Sequence, residues 1–221
     1  MRPVERGAAS IEALTYESMS PTLRARIGEY CSYCEFPVDH VPHTEHIVPK
    51  DRFPAWRDRW ENLVVSCTWC NSHKGNELPR PQDLADYLWP TTDNTARAFT
   101  YGNVIPEVDR ALPEAMQLKA ARLRGCVKLG IADELRAQRR AEVFTKAQHY
   151  RDRMQTASDA ALVRDMMVNL ALKSGFFSVW MEVFASDVAM RRRLIDAFVG
   201  TSKECFDEAT TQPIARPGGR V

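Results

Sequence analysis

Cys31-Ser32-Tyr33-Cys34, then Thr44-Glu45-His46-Ile47-Val48-Pro49, then Asn62-Leu63-Val64-Val65-Ser66-Cys67-Thr68-Trp69-Cys70-Asn71-Ser72-His73-Lys74-Gly75: the fold of this 221-residue chain turns on these segments. Two C-x2-C pairs bracket them, and at that spacing both sulfurs of a pair turn toward one ion. Two such pairs complete a tetrahedral sulfur site, which suits zinc. Four thiolates leave no open coordination position. Cys31, Cys34, Cys67 and Cys70 are therefore expected to hold a structural Zn2+. Residues 35–66 separate the pairs, more chain than a zinc finger usually spans, so a substantial loop must intervene. That loop carries His40, His43 and His46, and His73 follows the second pair. Two short strands and a helix bury little apolar surface, so the ion supplies much of the folding energy here.

Working outward, Leu23, Ile27 and Tyr30 recur at helical spacing and predict a short helix over 22–30, after a turn at Ser20-Pro21. Pro37 and Pro42 make 35–44 a loop. His46-Ile47-Val48 reads as a short strand stopped by Pro49, and Leu63-Val64-Val65 as a second. A helix starts near Cys67–Cys70 and carries Asn71. Beyond Pro79 and Pro81, residues 82–88 read as a helical turn or two, and 98–105 as a hairpin turning at Gly102-Asn103. From Pro113 the chain is helical. Gly130 is a stop, Asp133 and Asp159 are caps, and further helices cover 176–184 and 187–199. The expected class is α+β: a small zinc-stabilised ββα module over 1–80, a connecting segment over 81–112, a helical region over 113–209 and a flexible tail over 210–221.

Apolar content of 44% and charged content of 27% are those of a globular protein, and no apolar run approaches the roughly 18 residues of a membrane span. The opening MRPVERGAAS has no apolar segment, so it is not a secretory signal, and a cytoplasmic location is expected. Reduced thiols there favour metal over disulfide. Cys126 and Cys205, without C-x2-C partners, read as buried small residues. Net charge is +1, which gives no global field for nucleic acid. Charge is local: Lys50, Arg52, Arg57 and Arg59 follow the His46 segment, and Arg136, Arg139, Arg140, Arg151 and Arg153 lie on a later helix. Interspersed acids make the second cluster a solvated face, with a surface for nucleic acid or an acidic partner as the alternative.

The pattern CxxC…EHIVPK…W-x-NLVVSCxxCNxxKG resembles the HNH endonucleases over residues 28–77, a family whose catalytic fold is a β-hairpin and a helix around one divalent metal. Cutting a phosphodiester needs an activated water, neutralised phosphate charge and a stabilised leaving oxygen. His46, at a strand end and with an ordinary pKa near 6.5, is the natural general base. The resemblance implies that Glu45 ligates the catalytic metal, that Asn71 is the second ligand, and that Asn62 bonds the hairpin loop and holds His46 in place. Asn71 stands where the family's naming histidine stands. This H-N-N pattern favours Mg2+ or Mn2+ over transition metals. Glu45 is also longer than the aspartate often found at its position. His73 is a candidate replacement ligand, but it lies two helical positions from Asn71 and should face elsewhere. Lys50, His73 and Lys74 are candidate phosphate contacts.

MRPVERG, Cys31-Ser-Tyr-Cys34-Glu35, the two later motifs and the long helical tail together look like the HNH subunits of bacterial anti-phage systems of the Septu and retron-associated kind. That resemblance implies a DNA-cutting effector whose helical region docks an ATPase subunit. The competing readings are a stand-alone restriction-type endonuclease and a catalytically silent zinc module that binds nucleic acid or protein.

Overall fold

The computed structural model describes residues 1–9, 15–38, 40, 42–76, 79–102, 105–132, 134–154 and 159–221. Helix α1 spans Tyr16–Ile27, earlier than its apolar spacing indicates. Thr15 and Ser18 form a capping box that starts it upstream, and Pro21 sits inside it rather than in a turn. Leu23 and Ile27 on its inner face are fully buried. Strand β1 (His43–His46) pairs antiparallel with β2 (Leu63–Ser66), in the register His43↔Ser66, Glu45↔Val64 and His46↔Leu63. The expected strand over 46–48 is thus displaced toward the N-terminus. Ile47 still donates to the Asn62 carbonyl, but the Asn62 amide turns back to the Arg59 carbonyl and the Val48 amide goes to the Asn62 side-chain oxygen, so the ladder stops at His46. Every residue of β2 is buried, as a continuous apolar run between α1 and β1 should be. Helix α2 (Thr68–Lys74) follows, with the Cys67 sulfur accepting from the Cys70 amide at its N-terminus.

A 3-10 segment, Pro81–Asp86, leads to a second two-stranded sheet, β3 (Phe99–Thr100) with β4 (Glu107–Val108). The Asn103 half of the expected turn lies outside the described residues. Five helices follow: α3 (Glu114–Cys126), α4 (Leu135–Met154), α5 (Ala160–Ser174), α6 (Phe177–Val183) and α7 (Val188–Ala197). Asp159 and Asp187 cap α5 and α7 through their carboxylates, and the expected cap Asp133 lies outside the described residues. None of the described helices is long and apolar enough to cross a membrane.

The helical region and the ββα unit share one hydrophobic core. Glu35, directly after the first cysteine pair, binds the Ser178 amide at 2.9 Å and its hydroxyl at 2.6 Å, and its carbonyl accepts from the Phe176 amide. Buried Arg2 reaches the Ile27 carbonyl at 2.7 Å and the Val199 carbonyl at 2.6 Å. Gly200 lies so close to α1 that a Cβ there would meet the Ile27 Cα at 2.3 Å, and its φ of +74° favours glycine. The 210–221 segment, expected to be loose, is held in place. Arg216 bonds the Val4 and Pro90 carbonyls and Glu5, Arg220 pairs with buried Asp93, and Val221 is buried. Its polar, Pro/Gly-containing composition carries no sign of these distant partners.

Candidate metal clamp and catalytic cleft

The four paired cysteines come together. Their Sγ atoms all lie within 4.8 Å of one another, with Cys34 and Cys67 at 3.6 Å, and all four side chains are buried and free of disulfides. A tetrahedron built on zinc–sulfur bonds of about 2.3 Å has edges of about 3.8 Å, so the cluster is compatible with zinc. The clamp joins the loop before β1 to the first turn of α2 and thereby fixes the direction in which α2 leaves the hairpin.

Arg136 completes this clamp, and the sequence did not reveal it. On α4 it reads as part of a solvated basic face, yet it is 2% exposed, and its Nη1 donates to the Cys70 sulfur at 3.1 Å and to the Val127 carbonyl at 3.0 Å. Burial works against its charge, but the Cys70 and Cys34 sulfurs and Glu134 outweigh this and raise its pKa. Glu134 also meets His73 Nε2, and His73 is not among the residues that border the cleft described below. Arg140 is likewise buried, with its guanidinium 5.3 Å from the Phe176 ring centre. Arg139 and Arg151 stay at the surface, paired with Glu142 and Asp152.

On the other side of α2 opens a cleft of about 750 Å³. Glu45, His46, Lys50, Asn71 and Lys74 border it, together with Tyr16 from the start of α1. His46 Nε2 lies 2.9 Å from the Arg57 carbonyl. A carbonyl only accepts, so Nε2 carries the proton of the neutral ring and Nδ1 is left as the basic atom. Burial pushes the His46 pKa down; the Arg57 carbonyl opposes this, and Lys50 and Lys74 add to it. At neutral pH the imidazole is therefore uncharged and able to take a proton.

Buried Glu45 meets Lys74 at 2.7 Å. Burial raises its pKa against the pull of Lys74. Lys74 uses Oε1, and a carboxylate has further lone pairs for a cation. Asn62, 1% exposed, accepts from the Val48 amide at 2.7 Å and donates to the Val48 carbonyl at 2.9 Å and the Trp56 carbonyl at 2.8 Å. It ties the 47–61 excursion shut, including the residue before Arg57. Tyr16 lies outside the motif, and no side-chain pattern encodes the Arg57 carbonyl, so neither is visible in the sequence.

A hairpin and a helix beside a four-thiol clamp make a ββα unit, and residues 31–77 match the family model for HNH endonuclease. A Septu protein PtuB of Bacillus thuringiensis is 32% identical over 74 residues, which are 32% of this chain and 29% of that protein. The matched part thus spans less than a third of the relative's length. No solved structure matches significantly.

Proposed function

We propose that this protein is a metal-dependent endonuclease that hydrolyses phosphodiester bonds of DNA. The observation that carries the reading is the commitment of His46 Nε2 to the Arg57 carbonyl, which leaves Nδ1 as the basic atom of an imidazole that borders a cleft shared with Glu45 and Asn71. In this reading His46 takes the proton of the attacking water. Glu45 and Asn71 offer oxygen donors, a set suited to Mg2+ or Mn2+, and such an ion would neutralise charge at the scissile phosphate. Asn62 keeps the loop, and with it His46, in position. Lys50 borders the cleft as a phosphate contact. Lys74 holds Glu45. Cys31, Cys34, Cys67 and Cys70 hold Zn2+ as a structural ion, with Arg136 supporting Cys70.

The likeness to a Septu protein supports a role as an anti-phage defence effector in the cytoplasm, acting with an ATPase subunit docked on the 113–209 region. Leu162 and Met166, one turn apart on α5 and both exposed, offer that region an apolar contact.

Plasmid nicking with Mg2+ or Mn2+ tests the nuclease reading. Cleavage should appear with the ion, stop with chelator and fall at least a hundredfold in His46→Ala, within the range of general-base losses of roughly 10²–10⁴. A His46→Ala protein as active as the parent, or a parent that cuts nothing, leaves a silent zinc module. Copurification with an ATPase separates the effector from a stand-alone restriction-type enzyme.

A further inference from the structure

Tyr16 touches more of the cleft's machinery than any role assigned so far explains. Its ring stands edge-on to the His46 imidazole, with centroids 4.8 Å apart and planes at 73°. Its hydroxyl accepts from Lys50 Nζ at 2.6 Å. The Arg57 guanidinium lies 5.2 Å from its ring centre and pairs with Glu17 at 3.0 Å. Its own amide, the first of α1, donates to Asp58 at 2.8 Å. Backbone, ring and hydroxyl thus each hold a different part of the 46–58 segment, and all from a helix that precedes the matched domain.

We infer that Tyr16 is a positioning residue for the proposed reaction: its ring holds the His46 imidazole against the Arg57 carbonyl, and its hydroxyl aims the Lys50 ammonium at the substrate phosphate. The inference deepens the nuclease reading and rests on it. An imidazole with one hydrogen bond can still swing about that bond, and an edge-to-face ring contact removes this freedom. A lysine head on a four-carbon stem is mobile unless something fixes it, and an anchored ammonium binds phosphate with less ordering cost. The residue is half-buried and borders the cleft, and its side-chain partners are an imidazole, an ammonium and a guanidinium.

Two variants separate the two duties. Tyr16→Phe keeps the ring and deletes the hydroxyl, so KM for a DNA duplex should rise about tenfold, the effect of losing one charge-assisted hydrogen bond, with kcat within about twofold. Lys50→Ala, which removes the ammonium itself, should raise KM at least as much, and the double variant should be no worse than Lys50→Ala, because the hydroxyl acts only through that ammonium. Tyr16→Ala should lower kcat by a further tenfold or so. Two readouts need no cleavage. Metal-free affinity for the duplex should weaken in Tyr16→Phe and Lys50→Ala alike. The ring nitrogens of His46, followed by 15N NMR, should show the proton fixed on Nε2 in the parent and in Tyr16→Phe, and averaged between the two nitrogens in Tyr16→Ala. Additive losses in the double variant overturn the Lys50 duty, and a proton still fixed on Nε2 in Tyr16→Ala overturns the ring duty. A parent protein that cuts no DNA defeats the nuclease reading instead, and the NMR arm still decides whether Tyr16 clamps the imidazole.

Discussion

Lys74 Nζ lies 2.7 Å from Glu45 Oε1, and both side chains are buried beside the cleft. The pair crosses from α2 to β1, so it links the last turn of the helix to the strand that presents His46. A buried carboxylate without a countercharge is costly, and losing one partner of such a pair typically costs about 3–5 kcal/mol.

Lys74→Met should therefore unfold at lower urea than the parent at neutral pH without divalent ion, by about 3 kcal/mol. The difference should shrink at acid pH, because burial already raises the Glu45 pKa and a protonated Glu45 needs no partner. Mg2+ should stabilise the variant more than the parent, since in the variant the ion alone offsets the Glu45 charge. Equal urea midpoints for the two proteins would show that Lys74 is not what sustains the Glu45 carboxylate.

With His46 as the proposed base, its lowered pKa should set the acid limb of the pH–rate profile. The base works only when neutral, and burial holds its pKa below the ordinary 6.5. Cleavage should therefore persist at pH 6.5 and fall below it. The same shift acts on stability. Unfolded chains bind the His46 proton at a higher pH than the folded protein, so stability is full above about pH 6.5 and declines as pH falls through that value. A profile whose acid midpoint lies above 6.5 would mean that the limiting group is not this imidazole.

How far the sequence revealed this arrangement depends on the kind of signal. The clamp was legible because zinc geometry restricts cysteine spacing, and the helices after Pro113 because periodicity and a cap such as Asp159 are local. Strand β1 lies upstream of its sequence signal because pairing chooses it: Ile47 and Val48 have the better strand composition, but the Asn62 amide turns to Arg59 and its side chain takes the Val48 amide. Arg136 reads as a surface charge because its partners, Cys70 and the Val127 carbonyl, are set by how α4 packs. Tyr16 belongs to no motif, and its place beside His46 follows from the docking of α1 on β2.

Arg136 makes the clamp testable from a distance. Removing a donor to a metal-bound sulfur typically lowers metal affinity about 10–100-fold. Arg136→Gln should release zinc to a chromogenic chelator at correspondingly lower chelator concentration. Arg139→Gln, one turn of sequence away and paired with exposed Glu142, serves as the control and should match the parent. Since the clamp fixes α2, and α2 carries Asn71, cleavage by Arg136→Gln should recover when zinc is in excess.

Asn62 holds the loop that meets the proposed general base, and its removal should affect rate more than binding. Its three bonds to Val48 and Trp56 close the excursion that delivers the Arg57 carbonyl to His46. Asn62→Ala leaves buried backbone groups without partners, and at about 1–3 kcal/mol for each unsatisfied group the fold should lose about 3 kcal/mol or more. If the folded fraction stays high, zinc content should be unchanged, because none of the three bonds involves the cysteines. KM should change little, since Asn62 touches no cleft cation, whereas kcat should fall because the imidazole loses its fixed acceptor. The deciding measurement is the cycle with His46→Ala. Once the base is gone, its positioning has nothing left to act on, so Asn62→Ala should add no further loss of kcat in that background. A full additional loss in the double variant would show that Asn62 serves the reaction by some route other than His46.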